Sequence, residues 1–205
     1  MAKLKLTPRK KGVQDRAKGT VDYIIEAATQ ILTEHGLKGF STNKIVERAG
    51  VSIGTLYQYF PNKESIIQHL IEKIFTNMAD DMVAVISKLD LKELSLEDAV
   101  DRILDQFLSK HEEKSGFFKQ FVISLVSVEH LKFMLNNDQR IVKVIKEKFL
   151  VYEKDLKIED WDTTIFIVLY ALKGIQFGVA FGEKPIPKDK LKKEAKKLIL
   201  GYLRS

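Results

Sequence analysis

The stretch VSIGTLYQYFPNKE, residues 51–64, gathers side chains able to do chemistry, and that chemistry is hydrogen bonding rather than catalysis. Ser52, Thr55, Tyr57 and Tyr59 offer hydroxyls, Gln58 an amide and Gly54 bare backbone, with no charge before Lys63. Neutral donors lose less hydration than ammonium groups when they leave water, so such a segment suits a surface that must desolvate to read a partner. Leu56 and Phe60, four residues apart, would form the inward face of a short helix. The alternative is a small helix packed on both sides with its tyrosines half buried.

Other chemistry finds little support. The chain has no cysteine, so thiolate metal sites, disulfides and cysteine nucleophiles are excluded. The histidines His35, His69, His111 and His130 form no metal-binding or catalytic pattern; HEEKS at 111 lacks the second histidine of a zinc protease motif. No GxSxG or glycine-rich loop after a strand occurs. No enzymatic activity, cofactor or metal is expected. The basic start MAKLKLTPRKKG lacks the apolar run of a secretory signal. The most apolar segment surrounds TIFIVLYALKGIQFGVAFG. Its charge-free part, Thr163 to Leu172, is far shorter than a membrane span, so it is expected to be a buried helix of a soluble, cytoplasmic protein.

The net charge of +6 sits at one end. Seven Lys and Arg residues face one Asp within residues 1–20, and the rest of the chain is neutral overall. A one-ended basic arm is a common footprint for a polyanion partner, although basic tails also serve solubility.

The elements that must position these residues all read as helices. Thr20 is placed to cap a helix bearing Ile24, Ala27, Ala28, Ile31 and Leu32 and ending at Gly36. Ser41 or Thr42 opens a second helix, with Ile45, Val46 and Ala49 inward; Ser52 opens a third, ending before Pro61; Asn62 opens a long fourth. The turn Ala49-Gly50-Val51 makes the second and third a helix-turn-helix. Further helices are expected near 96–114, 117–131, 138–157, 162–182 and 188–203. The fold class is therefore all-α. The expected domains are a basic arm (1–19), a helix-turn-helix DNA-binding domain (20–65) and a larger helical effector-binding and dimerisation domain (66–205).

A reading helix presents its first turns to the major groove. Ser52, at the cap, leaves backbone N–H groups for a phosphate, and Gly54 lets the backbone approach the duplex. Thr55 and Gln58 can meet base edges, and Tyr57, Tyr59 and Lys63 can reach phosphates. The run FSTNKIVERAGVSIGTLYQYFPNKESII, residues 40–67, resembles the signature of the tetracycline-repressor (TetR) family of bacterial transcription regulators. The matching positions are Thr42, Ile45 to Gly50, Val51-Ser52, Gly54 to Tyr57, Tyr59-Phe60 and Asn62 to Glu64, and the upstream IIEAATQILTEHGLKGFST is similar to that family's first helix. The resemblance implies that Thr42, Thr55, Tyr57, Tyr59 and Lys63 contact the sugar-phosphate backbone. It further implies that Asn43, Ser52, Ile53, Gly54 and Gln58 lie where base reading varies.

One helix-turn-helix makes few contacts, so double-stranded DNA is expected to be bound by a homodimer. In ALKGIQFGVAFG, Ala171, Gly174, Gly178 and Gly182 share a face that lets another helix approach closely; Leu191, Ala195, Leu198, Ile199 and Tyr202 stripe the last helix. Pairing both helices with their symmetry mates would give a four-helix dimer bundle, as in TetR-like proteins; the glycines could instead pack on a helix of the same chain. The opposite side, Leu169, Leu172, Lys173 and Gln176 with Phe166 and Phe177 beside them, could line a pocket for a small, largely apolar effector, together with Phe107 and Phe121. An acidic group on that effector would suit Lys173; alternatively these rings fill a core and Lys173 snorkels to water. The expected function is a dimeric repressor that binds a palindromic operator and is released by its effector through movement of the fourth helix. Activation by the same fold and sequence-independent DNA binding are the alternatives; the neutral charge of residues 21–205 weighs against the latter.

Overall fold

The computed structural model describes residues 15–108, 128–156, 158–181 and 186–205. These form α1 (Asp15–Gly39), α2 (Thr42–Ala49), α3 (Ile53–Tyr59), α4 (Lys63–Lys88), α5 (helical over 96–108), α6 (Val128–Phe149), a 3-10 turn (Leu150–Tyr152), α7 (Trp161–Phe181) and α8 (Lys188–Leu203). No strand occurs among the described residues. The all-α class holds.

The chain divides into two compact units. The first holds α1, α2, α3 and α4 through Phe75; α4 from Thr76, α5, α6 from Lys132, α7 and α8 belong to the second.

In the first unit, local chemistry sets the boundaries from Gly36 to Asn62. α1 is already helical at Asp15, the first described residue, and runs through the expected cap at Thr20; Ala17 and Lys18 favour helix and the single Gly19 does not interrupt it. The backbone leaves helical geometry at Gly36, with φ 61° and ψ −170°, and a last turn runs on to Gly39. Ser41 caps α2 by accepting the Lys44 N–H. Gly50 ends it in the left-handed region, φ 65°, with its N–H on Glu47 O and the Val51 N–H on Val46 O. This double closure satisfies two orphan carbonyls and needs a residue without a Cβ penalty. Asn62 caps α4, its Oδ1 accepting the Ser65 N–H at 2.8 Å while the buried Ser65 hydroxyl donates to Asn62 O at 2.7 Å. Ile24, Ala28, Ile31, Ile45, Leu56, Phe60, Ile66 and Leu70 are nearly or fully buried.

The second unit has its own core, drawn from Met82, Ile86, Leu104, Leu108, Ile141, Phe149, Tyr152, Trp161, Ile165, Leu172, Ala195 and Ile199. Ion pairs join α5 to α8 and to Arg204 at its C-cap: Lys192 to Asp105 at 2.8 Å, Lys196 to Asp101, and Arg204 to Glu97. A helix was expected over 138–157, yet α6 is continuous from Val128 and stops at Phe149. The stretch 132–137 left between the expected helices stays helical, and two polar side chains in this part of α6 find partners. Asn137 Nδ2 donates to Phe133 O at 3.1 Å, and Asp138 is held from α7. The expected helix over 117–131 lies mostly outside the described residues.

α7 is long and apolar enough, by length and composition, to cross a membrane over Trp161–Val179. It is not the buried helix expected of this segment, since only 17% of that stretch is buried. Ile165, Leu169 and Leu172 face the interior, while Phe166, Ile167 and Phe177 are exposed.

Candidate nucleic-acid interface

α3 is anchored from one side only. Leu56 and Phe60 are fully buried, each burial contributing about 1.5–3 kcal/mol. Around the rest of this helix Ser52, Ile53, Gly54, Tyr57 and Gln58 are exposed, with Thr55 and Tyr59 half-buried. The packed-on-both-sides alternative does not describe it: Ile53 is 42% and Tyr57 40% exposed.

The start of α3 differs in one respect from the expectation. Ser52 does not leave all of its backbone donors open; its Oγ accepts the Thr55 N–H at 3.0 Å and lies 2.8 Å from the Thr55 hydroxyl. The two hydroxyls thus form one local pair at the tip of the helix. The turn before it runs Gly50-Val51-Ser52, one residue later than the spacing suggested.

Flanking positions share this surface chemistry. Thr42 is half-buried and Asn43 exposed in the first turn of α2. Lys63 is exposed as the first residue of α4. A cation at a helix N-terminus opposes the helix dipole, so its place there favours an external anion. Lys44, passed over by the sequence reasoning, is an exposed cation beside Asn43; its charge within a helix that also holds Glu47 and Arg48 gave no distinct signal. Arg48 is engaged otherwise, 2.8 Å from Glu34, and holds that carboxyl below its ordinary range.

Behind α3 the structure adds a residue that the sequence did not single out. The half-buried His69 of α4 meets the Phe60 ring edge to face, centroids 5.7 Å apart. Burial pushes its imidazole below the usual value, against the pull of the Glu72 carboxylate.

In the second unit, the residues expected at a partner surface separate into two groups. Gly174, Gly178, Leu198 and Tyr202 are exposed, and Ala171 is half-buried. Ala195 and Ile199 instead belong to the unit's own core, with Leu191 packed against it, because α8 must cover that core with its most apolar stripe. Gly182 lies outside the described residues.

The residues expected around an effector separate too. Phe107, Leu169 and Leu172 are buried, and Gln176 Nε2 donates to Phe107 O at 3.0 Å. Phe177 is 39% exposed, and Phe166 is exposed as well; both lie on the outer side with the glycines rather than inside. Phe121 lies outside the described residues. Lys173 neither snorkels nor waits for a ligand anion. Its Nζ lies 2.5 Å from both oxygens of Asp138, which also accepts from the Tyr170 hydroxyl at 2.9 Å. Burial pushes the Lys173 ammonium down, opposed by Asp138, and both burial and that carboxylate push the Tyr170 phenol up. Asp138, 35 residues away in sequence, carried no signal that could have identified it.

Known proteins resemble this chain over both units. Residues 24–70 match the family described as bacterial regulatory proteins, tetR family, and residues 95–203 match the tetracyclin repressor-like C-terminal domain. The uncharacterized HTH-type transcriptional regulator YvdT of Bacillus subtilis (strain 168) is 34% identical over 64 residues, 31% of this chain and 33% of that protein. The chain thus spans about a third of the length of this curated relative. A transcriptional regulator of the TetR/AcrR family from Thermobifida fusca YX-ER1 shares the fold with a TM-score of 0.66 at 17% identity, covering 94% of this chain and 100% of its own. The fatty acid degradation regulator FadR from Bacillus halodurans does so with a TM-score of 0.63 at 20% identity, covering 95% and 98%.

Proposed function

This chain belongs to the tetR family of bacterial regulatory proteins, and from that premise we propose that it is a dimeric, cytoplasmic repressor that binds a palindromic operator and is released by a small, largely apolar effector. The observation that carries the reading is the one-sided anchoring of α3: Leu56 and Phe60 buried, with an uncharged, hydrogen-bonding face turned outward. Thr55, Gln58 and the Ile53 side chain suit base edges and thymine methyls, whereas Thr42, Tyr57, Tyr59 and Lys63 suit phosphates. Asn43, Ser52 and Gly54 complete that surface.

The dimer surface is the outer side of α7 and α8, which bears Phe166, Ile167, Phe177, Leu198 and Tyr202 beside Gly174 and Gly178. Exposed aromatic and aliphatic side chains in such a group favour a protein partner. The effector region is the interior between α5 and α7, around Phe107, Leu169 and Gln176. Because Asp138 already matches the charge of Lys173, this region suits a neutral ligand; a carboxylate would first have to displace Asp138. An effector that weakens operator binding a hundredfold requires a coupling of about 2.7 kcal/mol, within the usual range.

Selection of bound duplexes from a random pool tests the reading. An enriched inverted repeat is expected. Enrichment without two-fold symmetry would remove the dimeric operator, and no enrichment would remove sequence-specific binding.

A further inference from the structure

The outer side of α7 is connected to a buried charge. Phe166, 53% exposed, stacks on Tyr170 with centroids 4.5 Å apart and planes 36° from parallel. The Tyr170 ring is in turn held by two contacts from the interior. Its hydroxyl donates to Asp138 Oδ2 at 2.9 Å, and Lys173 Nζ lies 5.5 Å from its centroid. Asp138, 6% exposed, comes from α6 and is fixed by Lys173 at 2.5 Å. Hydroxyl, ring position and the stack above it are therefore set by one carboxylate.

A side chain already held in its bound orientation loses less rotational freedom on association, and large aromatics carry much of the binding energy at protein interfaces. Beside this stack, a Cβ added at Gly174 or Gly178 would meet nothing within 4 Å among the described residues. We propose that Asp138 is a positioning residue for self-association, holding Tyr170, and through it Phe166, in the orientation that a second copy of this chain receives. The inference rests on the reading of α7 and α8 as the dimer surface. It gives the second unit a direct route from its interior to that surface, since whatever draws Asp138 away from Tyr170 frees the aromatic stack.

Sedimentation equilibrium on the full chain tests it. Tyr170→Phe removes one oxygen and keeps the ring. It is expected to weaken self-association about tenfold while leaving the denaturation midpoint of the monomer in place. The charge-neutral pair D138L/K173M is expected to weaken it to a similar extent, and adding Tyr170→Phe to that pair to change nothing more. A merely structural role for the triad would move the monomer midpoint, not the association constant. Association of Tyr170→Phe at the parent's strength, or losses that add independently, overturns the inference while the dimer stands. A parent chain that stays single at micromolar concentration removes the dimer reading and this inference with it.

Discussion

Ser52 and Thr55 are bound to each other at the tip of α3: one Oγ accepts the other residue's backbone N–H at 3.0 Å, and their hydroxyls lie 2.8 Å apart. The same two side chains are therefore structural and, in the proposed function, part of the DNA surface. Substitutions can separate the roles. Ser52→Ala removes the cap, which costs about 1 kcal/mol, and should weaken binding to every duplex by loosening α3. Ser52→Asp keeps a good cap but points a negative charge at phosphate. It should retain the unfolding midpoint and lose DNA binding. Equal affinity of parent and Ser52→Asp in a fluorescence titration would take Ser52 off the DNA surface.

Gly54 gives a sharper separation. Among the described residues a Cβ there would meet only Ser52 Oγ, at an ordinary 3.7 Å, so none of them excludes alanine. Glycine inside a helix is worse than alanine by about 1 kcal/mol. Gly54→Ala should therefore raise thermal stability yet bind the selected operator at least about tenfold more weakly, because the duplex backbone no longer fits. A variant that is both more stable and equally tight would show that no close approach occurs at Gly54.

His69 predicts a pH dependence for the first unit. Its imidazole is held below the ordinary 6.5 chiefly by burial against Phe60, with Glu72 and Lys73 of α4 and Asp22 of α1 as the charged groups around it. The unfolded chain then takes up the proton first as pH falls. Stability is full above 6.5 and declines as pH drops below it toward the folded value. Denaturation midpoints measured from pH 8 to 5.5 should show this decline in the parent and a flatter profile in His69→Gln. Identical profiles would assign the dependence elsewhere.

Lys173 and Asp138 should behave as a buried pair, their side chains 16% and 8% exposed. Lys173→Met alone leaves an uncompensated carboxylate and is expected to cost about 3 kcal/mol, read by urea denaturation. Adding D138L should recover much of that loss. A Lys173→Met chain as stable as the parent would mean that solvent reaches Asp138.

Much of the first unit was legible in the sequence because its determinants are local. Ser41, Ser52 and Asn62 act on N–H groups three residues on; Gly50 is demanded by a positive φ; Leu56 and Phe60 are four apart. Each is readable within one or two helical turns. That α1 runs through Thr20 escaped because a helix can continue past a possible cap when the preceding residues favour it.

The sequence by itself determined the all-α class, the helix-turn-helix and the outward chemistry of α3, since capping, periodicity and glycine stereochemistry act over a few residues. Only the tertiary structure decided which side of α7 is covered, which side chains of α8 close the core, and that Lys173 is answered by Asp138. A helix that is apolar nearly all round carries no periodic signal for its buried face, so the face is chosen by what packs against it. A charge pair across 35 residues is likewise visible only once α6 and α7 lie side by side.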